Sequence, residues 1–261
     1  MWMLDSPLTR PGLFVTGTDT GVGKTAVTCG IAAALRGQGV GRVGVCKPLA
    51  SGCRKDREGL VSEDAEALAH FADCRLPLEV VCPVRYAAPL APAVAAEESG
   101  VDVDFAAIGA ALTRLDHASD VVLVEGVGGV CVPLDRAGRV SVLDLAAAMG
   151  YPVLIVARST LGTLNHTAMT ARLLRDAGLR IAGVVMNHYP VDAGRLSDDP
   201  SVQSNRRWLE KLTGAPVLAI VPACASDAVR PERGLLPPEF LDAFTQCHWP
   251  DVLAVAGGVG G

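Results

Sequence analysis

Along this chain, short unbroken apolar runs alternate with stretches in which apolar residues return every three or four positions. The runs Gly12–Thr16, Arg42–Lys47, Val80–Val84, Asp120–Glu125, Pro152–Ala157, Ile181–Asn187 and Ala215–Val221 read as strands. Between them, Lys24–Arg36, Ser62–Ala72, Phe105–Ala118, Ser141–Met149, Leu164–Ala177 and Ser201–Leu212 read as helices. Ser141-Val-Leu-Asp144 has the form of a capping box, and Gly37, Gly150 and Gly178 stand where helices should stop. Strands that are apolar on both faces and separated by helices predict a parallel sheet covered on each side. Asp192–Pro200 reads as a polar connecting loop, and Trp249–Gly261, which ends in AVAGGVGG, reads as loose. The expectation is one α/β domain over residues 1–261 with a ragged C-terminal end.

Composition narrows the partners more than the fold. The 261 residues are half apolar (50%) and carry a formal net charge of −5, with no cluster of Lys and Arg. Such a balance disfavours a nucleic-acid partner and an anionic membrane surface. Met1–Gly12 is too polar for a signal peptide, and no apolar run approaches ~18 residues. The cysteines form no C-x-x-C pair, and several, such as Cys46 and Cys131, fall in apolar runs where a small buried thiol is expected. A reduced, cytoplasmic setting fits these features. Cys53 and Cys224 could lie near a functional cleft, but nothing in the sequence would activate either thiol.

The most informative stretch is Gly17–Thr25, GTDTGVGKT. It follows Leu13-Phe14-Val15 and leads into Val27, Ile31, Ala34 and Leu35 at helical spacing. Strand, glycine-rich loop and helix are the context in which backbone N–H groups cradle phosphates at a helix N-terminus. Gly21 and Gly23 allow the required curl, Lys24 can face the outer phosphates, and Thr25 offers a hydroxyl to magnesium. The spacing is G-x5-G-K-T rather than G-x4-G-K-[ST], because Thr18 stands where the first glycine normally falls. The other polar strand ends, Lys47, Glu125, Arg158, Asn187 and Pro222, fall at C-terminal ends of predicted strands. In an open parallel sheet those ends share one rim, so they describe a single cleft.

Within that cleft, Glu125 closes an apolar strand and is followed by Gly126-Val127-Gly128-Gly129. A carboxylate there suits magnesium, and the glycines let N–H groups approach an oxyanion. Asp64 fits equally a metal ligand or an acid favoured by the start of its own helix. Lys47 ends an apolar strand before a proline, with Ser51-Gly52 shortly after. A lysine so placed is costly to desolvate unless an anion meets it. Asn187 could read an adenine edge or simply end a strand. Gly162-Thr163-Leu164-Asn165 could present N–H groups to a carboxylate or form a plain first turn.

Taken together, GTDTGVGKT, CKPLASG (Cys46–Gly52), SEDAEAL (Ser62–Leu68), VLVEGVGG (Val122–Gly129), LGTLNHT (Leu161–Thr167) and GVVMN (Gly183–Asn187) resemble dethiobiotin synthetases in order and spacing. The resemblance runs from about Gly12 to Ala225, includes the long-spaced loop, and leaves residues 226–261 as an extension without counterpart. It implies a single-domain P-loop NTPase-like fold, three-layer α/β/α with a mostly parallel sheet. It also implies an ATP- and Mg2+-dependent cyclo-ligase of biotin synthesis. Such an enzyme carboxylates 7,8-diaminononanoate (diaminopelargonate) with CO2 and closes a ureido ring through a carbamate and a carbamic–phosphoric anhydride. By position, Thr25, Asp64 and Glu125 would hold the metal, with Lys24 and Lys47 catalytic. The nucleotide would meet Gly21, Val22, Gly23, Lys24, Thr25 and Ala26 of the loop, then Asp64 and Glu125–Gly128. Its base side would be Asn187, His188, Pro222, Ala223 and Cys224. Thr20, Lys47, Ser51 and Gly128 would contact substrate, while Gly162–Asn165 would receive its far carboxylate across a homodimer interface.

Two positions depart from some relatives: Gly21 replaces an acid, and Asn205 stands roughly where a tyrosine meets the substrate carboxylate. A cobyrinate-type amidating synthetase shares a similar loop but needs a further glutaminase domain, for which this chain is too short. A partitioning or septum-positioning ATPase switch needs a second lysine early in the loop, where this chain has Thr16-Gly17-Thr18.

Overall fold

The computed structural model describes residues 4–57, 59–190, 201–225 and 227–257. The chain begins β1 (Gly12–Gly17), α1 (Lys24–Gly37), β2 (Val43–Cys46), β3 (Leu49–Ala50), β4 (Arg54–Lys55) and β5 (Leu60–Val61). It continues α2 (Glu63–Ala72), α3 (Leu78–Val81), β6 (Val84–Arg85), α4 (Pro92–Ser99), α5 (Phe105–Ala118) and β7 (Val121–Gly129). Then come α6 (Val142–Met149), β8 (Val153–Arg158), α7 (Thr163–Asp176), β9 (Ile181–Tyr189), α8 (Ser201–Thr213) and β10 (Val217–Pro222). Two helices end the described chain, α9 (Pro238–Thr245) and α10 (Trp249–Gly257). The predicted loop at 192–200 and the last residues, 258–261, lie outside the described residues.

Six strands form one sheet in the order β10-β9-β8-β1-β7-β2, every pairing parallel. Because side chains alternate across a strand, Leu13 and Val15 enter the core beneath α1 and α2, while Phe14 enters the one beneath α5, α6 and α7. Both faces are therefore covered, which makes a three-layer α/β/α sandwich. Register then places the polar strand ends on one level: Val15 pairs with Glu125, Cys46 with Val124, and Arg158 with Asn187. Single-residue steps beyond these pairs deliver Lys47 beside Glu125 and the loop after Gly17 between β7 and β8.

Two predicted segments differ. Val80–Val84 is not a strand of this sheet: Leu78–Val81 is a helical turn, and only Val84–Arg85 pairs, with Leu49–Ala50 in a separate ribbon. Pro77 opens the turn, and Pro83 lacks the N–H a ladder would need. The turn still serves the site, because the Val81 carbonyl accepts the Lys47 N–H at 2.7 Å. The C-terminal stretch from Trp249, read as loose, is helical to Gly257. Phe240, Phe244 and Trp249 are buried against α1, and the Trp249 indole donates to the Phe244 carbonyl at 2.8 Å. Gln38 at the end of α1 ties down the same segment through Trp249 N–H and the Cys247 carbonyl. Fully burying one phenyl group stabilises by roughly 1.5–3 kcal/mol, so this extension is part of the core. Gly30, in mid-helix, has a physical reason: a Cβ there would overlap the Phe244 ring. Cys46 is buried as expected, whereas Cys131 is exposed, because β7 ends at Gly129 and the chain turns.

Candidate active site

The cleft above the sheet rim has a volume of about 360 Å³. Its floor is the loop from Thr20 to Ala26, with Gly21 (φ 71°) and Gly23 (φ 89°) both in the left-handed region that lets the backbone curl. Val22 turns the other way and is fully buried, so only its backbone can meet a ligand. Lys24 lies back along the loop, its ammonium donating to the Asp19 carbonyl at 3.1 Å. Burial and the nearby Lys47 pull its pKa down to about 8, against the pull of Glu125 and Asp64.

Opposite the loop stands a charge cluster. Lys47, 4% exposed, donates to Glu125 Oε1 at 2.5 Å and meets Asp64 Oδ2 at 3.0 Å. The Thr25 hydroxyl lies 2.9 Å from Glu125 Oε1 and 3.1 Å from Asp64 Oδ1. Asp64 reaches this point because Ser62 caps α2, its Oγ accepting from Ala65 N–H, so Asp64 falls in the first turn. Burial alone would depress the Lys47 pKa, but Glu125 and Asp64 reverse this and hold the ammonium charged. Burial would likewise raise the Asp64 carboxyl, yet Lys47, Thr25 and Lys24 hold it below its usual range. Glu125 is pushed up, by burial first and then by Asp64, despite Lys47.

The cluster holds more acceptors than donors. A hydroxyl has one hydrogen, yet two carboxylate oxygens sit within reach of Thr25, and Glu125 Oε2 is buried with no partner. Among the described residues no group of three His, Cys, Asp or Glu gathers as an all-protein metal cage. One hydroxyl and two carboxylates suit instead a hard cation that completes its shell with water and phosphate oxygens.

Of the residues expected at the site, Thr20, Gly21, Gly23–Ala26, Lys47, Ser51, Asp64, Glu125, Val127 and Gly128 line the cleft together. Gly126 lies just behind, its carbonyl 3.4 Å from the Lys47 ammonium. Asn187 sits at the adjoining rim, 2% exposed, and acts as a brace: its amide donates to the Val22 carbonyl and accepts from His188 N–H, each at 2.9 Å. His188 adopts φ 58°, and burial together with Arg158 lowers its pKa. Pro222 to Cys224 lie beside it, with Pro222 paired to Tyr189 and Ala223 N–H bound to the Tyr189 carbonyl. Burial pushes both the Cys53 and Cys224 thiols up, so neither is activated. Gly162–Asn165 begin α7 away from this cleft and contribute nothing to its lining. Pro231, from a short turn in the C-terminal extension, does line it. No motif marks that proline; it arrives only because the extension docks on α1 and α2.

Asn205 is 1% exposed, and its amide donates to the Ser159 carbonyl at 2.7 Å, tying α8 to the loop after β8. Asn205→Ala should therefore lower stability by about 1–3 kcal/mol, the cost of orphaning a buried carbonyl. Substrate KM should hardly change. Denaturant melts beside steady-state kinetics check this; a raised KM without a stability loss would refute it.

The depressed Lys24 pKa has a pH consequence. Between about 8 and 10.5 the unfolded lysine holds a proton that the folded one has lost, so on this account stability rises with pH across that window. Nucleotide affinity should move the other way, because only the charged ammonium attracts phosphate. We expect it to fall towards tenfold per pH unit above about 8, and Lys24→Met to flatten the profile. Titrations showing constant affinity from neutral pH into that range would contradict the assignment.

A parallel sheet whose first strand feeds a glycine-rich loop, with a lysine, a threonine and two carboxylates around it, defines a P-loop nucleotide-binding protein. A family model described as an AAA domain matches residues 11–227. Solved structures of MinD share the fold: that of Pyrococcus horikoshii, complexed with Mg-ADP, has a TM-score of 0.54 at 18% identity, covering 91% of this chain and 94% of that one. MinD of Aquifex aeolicus gives 0.55 at 16%, covering 97% and 99%. Among sequences, the ATP-dependent dethiobiotin synthetase BioD of Anaeromyxobacter sp. (strain K) is 46% identical over 81% of this chain and 89% of its own length. That of Thermodesulfovibrio yellowstonii is 35% identical over 82% and 89%. The chain belongs to the ATP-dependent dethiobiotin synthetase family.

Proposed function

We propose that this chain is an ATP-dependent dethiobiotin synthetase that carboxylates diaminopelargonate with CO2 and closes the ureido ring, releasing ADP and phosphate. Lys47 is the observation that carries the reading. A partitioning-type switch carries its second lysine early in the phosphate loop itself, whereas here the second buried ammonium faces the same cleft from the end of β2. It supplies charge for an anion other than the nucleotide.

One substrate amine attacks CO2, forming an N–C bond and shedding a proton to give a carbamate. A carbamate oxygen attacks the γ-phosphorus, ADP departs, and a carbamic–phosphoric anhydride results. The second amine then attacks the carbonyl carbon and sheds a proton as phosphate leaves with the C–O bonding pair. Lys24 meets the charge on the transferring phosphoryl group, and Lys47 meets the carbamate and its anhydride. Thr20, Ser51 and Gly128 border the same space from the substrate side. Thr25, Asp64 and Glu125 would hold Mg2+, which when bound neutralises phosphate charge. The nucleobase would lie towards Asn187, His188 and Pro222–Cys224, where Asn187 keeps one amide hydrogen beyond its two internal bonds.

Gly162–Asn165 would serve the cleft of a second copy in a homodimer. Supporting this, Asn165 and Met169 (51% exposed) share an exposed face of α7, and Leu161, just ahead of the helix, is 83% exposed. No helix among the described residues is long and apolar enough to cross a membrane, and we assign the enzyme to the cytoplasm. With ATP, magnesium and bicarbonate, the protein should release phosphate only when diaminopelargonate is added. Release indifferent to the diamine would replace this reading with the switch.

A further inference from the structure

At the opposite end of the sheet, where α1, α2 and α5 finish and β2 begins, lies a second cavity of about 360 Å³. Three arginines, Arg36, Arg42 and Arg75, rim it against one aspartate, Asp73, in a chain whose formal charge is −5. Its floor is apolar, from Val43, Ala72 and Leu76.

The arginines are not equivalent. Arg42 is committed to Asp120, with its guanidinium 2.9 Å from one oxygen and its N–H donating to the other at 2.8 Å. Arg36 and Arg75 both approach the single carboxylate of Asp73, each at 3.6 Å. That exceeds the ~2.7–2.9 Å of a charge-assisted hydrogen bond. Arg36 is also steadied by the Phe71 carbonyl at 3.3 Å, which holds it at the cavity. A cation near a helix C-terminus is favourable in itself, and this accounts for Arg36 in the last turn of α1. It does not account for Arg75, which lies beyond α2, or for an open apolar floor beneath both groups.

We propose that this cavity is a second ligand site, for a small organic acid: its carboxylate between Arg36 and Arg75, its aliphatic stem on Val43, Ala72 and Leu76. A bidentate guanidinium–carboxylate pair supplies the anion specificity, and the stem supplies apolar burial. The elements that line it are those that carry the reaction cluster. From cluster to cavity, α1 runs from Lys24 and Thr25 to Arg36, and α2 from Asp64 to Asp73; β2 runs the other way, from Arg42 to Lys47. An occupant thus touches the far ends of all three.

Cys74 lines the cavity and is partly exposed, which provides a reporter independent of the dethiobiotin reaction. With heptanoate as the probe, iodoacetamide labelling of Cys74, read by peptide mass, should slow about tenfold at ten times the dissociation constant. Labelling of Cys131 should not change. Arg36→Gln/Arg75→Gln should lose the protection, as should Arg75→Gln alone, a surface change that leaves the fold intact. Unprotected Cys74 in the parent protein would overturn the proposal, and so would equal protection in the variants. Inorganic phosphate protecting as well as heptanoate would overturn the organic-acid assignment.

Discussion

Lys47→Ala should lower kcat by about a thousandfold while leaving nucleotide affinity within about threefold. The asymmetry follows from placement. Lys24 and the loop line one side of the cleft, the side proposed for the nucleotide, whereas Lys47 stands across it, bonded to Glu125 and Asp64. In the proposed role, the charge it would face, on carbamate and anhydride, exists only after CO2 is fixed, so its loss would be felt after ATP has bound. Removing it also leaves Glu125 and Asp64 facing each other without their cation. Breaking one side of a buried ion pair costs about 3–5 kcal/mol, so a melt must accompany the kinetics. Lys47→Met, which keeps the stem, separates packing from charge: both variants should share the kcat loss. Parallel losses of kcat and ATP affinity would remove Lys47 from the second half of the reaction.

The residues legible in the sequence are those that close an apolar run, even where the strand itself continues past them, as β7 does past Glu125 and β9 past Asn187. Lys47, Glu125 and Asn187 each terminate an apolar run, and parallel pairing carries that one-dimensional fact to a shared rim. Asp64 was ambiguous for a physical reason, since the first turn of a helix is a good place for an acid with or without a ligand. The structure turns the same carboxylate into the cleft, 3.0 Å from Lys47, a placement the helix start alone does not require. Val80–Val84 has the apolarity of a strand, but Pro77 just before it and Pro83 within it set a turn and remove a ladder N–H. The C-terminal helices were missed although a signal was present. Phe240 and Phe244 fall four residues apart in a chain only 4% aromatic, and Gly30 sits in mid-helix, where nothing local calls for glycine. Each makes sense only with the other. Pro231 and Asn205 had no signal, because their roles depend on which distant segment docks against them.

Gly23→Ala should weaken nucleotide binding by at least about a hundredfold, the largest effect expected from adding a single methyl group. Gly23 caps α1 from φ 89°, which costs an L-residue roughly 1–2 kcal/mol before any contact is counted. The added Cβ would then overlap the Asn187 amide nitrogen, far inside any non-bonded separation. Relief requires either the loop or Asn187 to move, and the two are joined by the bond from Asn187 to the Val22 carbonyl. Either motion disturbs the concavity in which successive N–H groups converge on phosphate. Gly21→Ala is the matched control. It shares the positive φ, but its nearest neighbour is the Arg158 guanidinium at 3.7 Å, an ordinary contact with a mobile side chain. Gly21→Ala should therefore lose affinity through backbone strain alone, about five- to thirtyfold. Asn187→Ala in the Gly23→Ala background should not restore binding fully, because the brace is lost with the clash. Equal losses from the two glycine changes would show that backbone conformation, and not the approach of Asn187, shapes the phosphate loop.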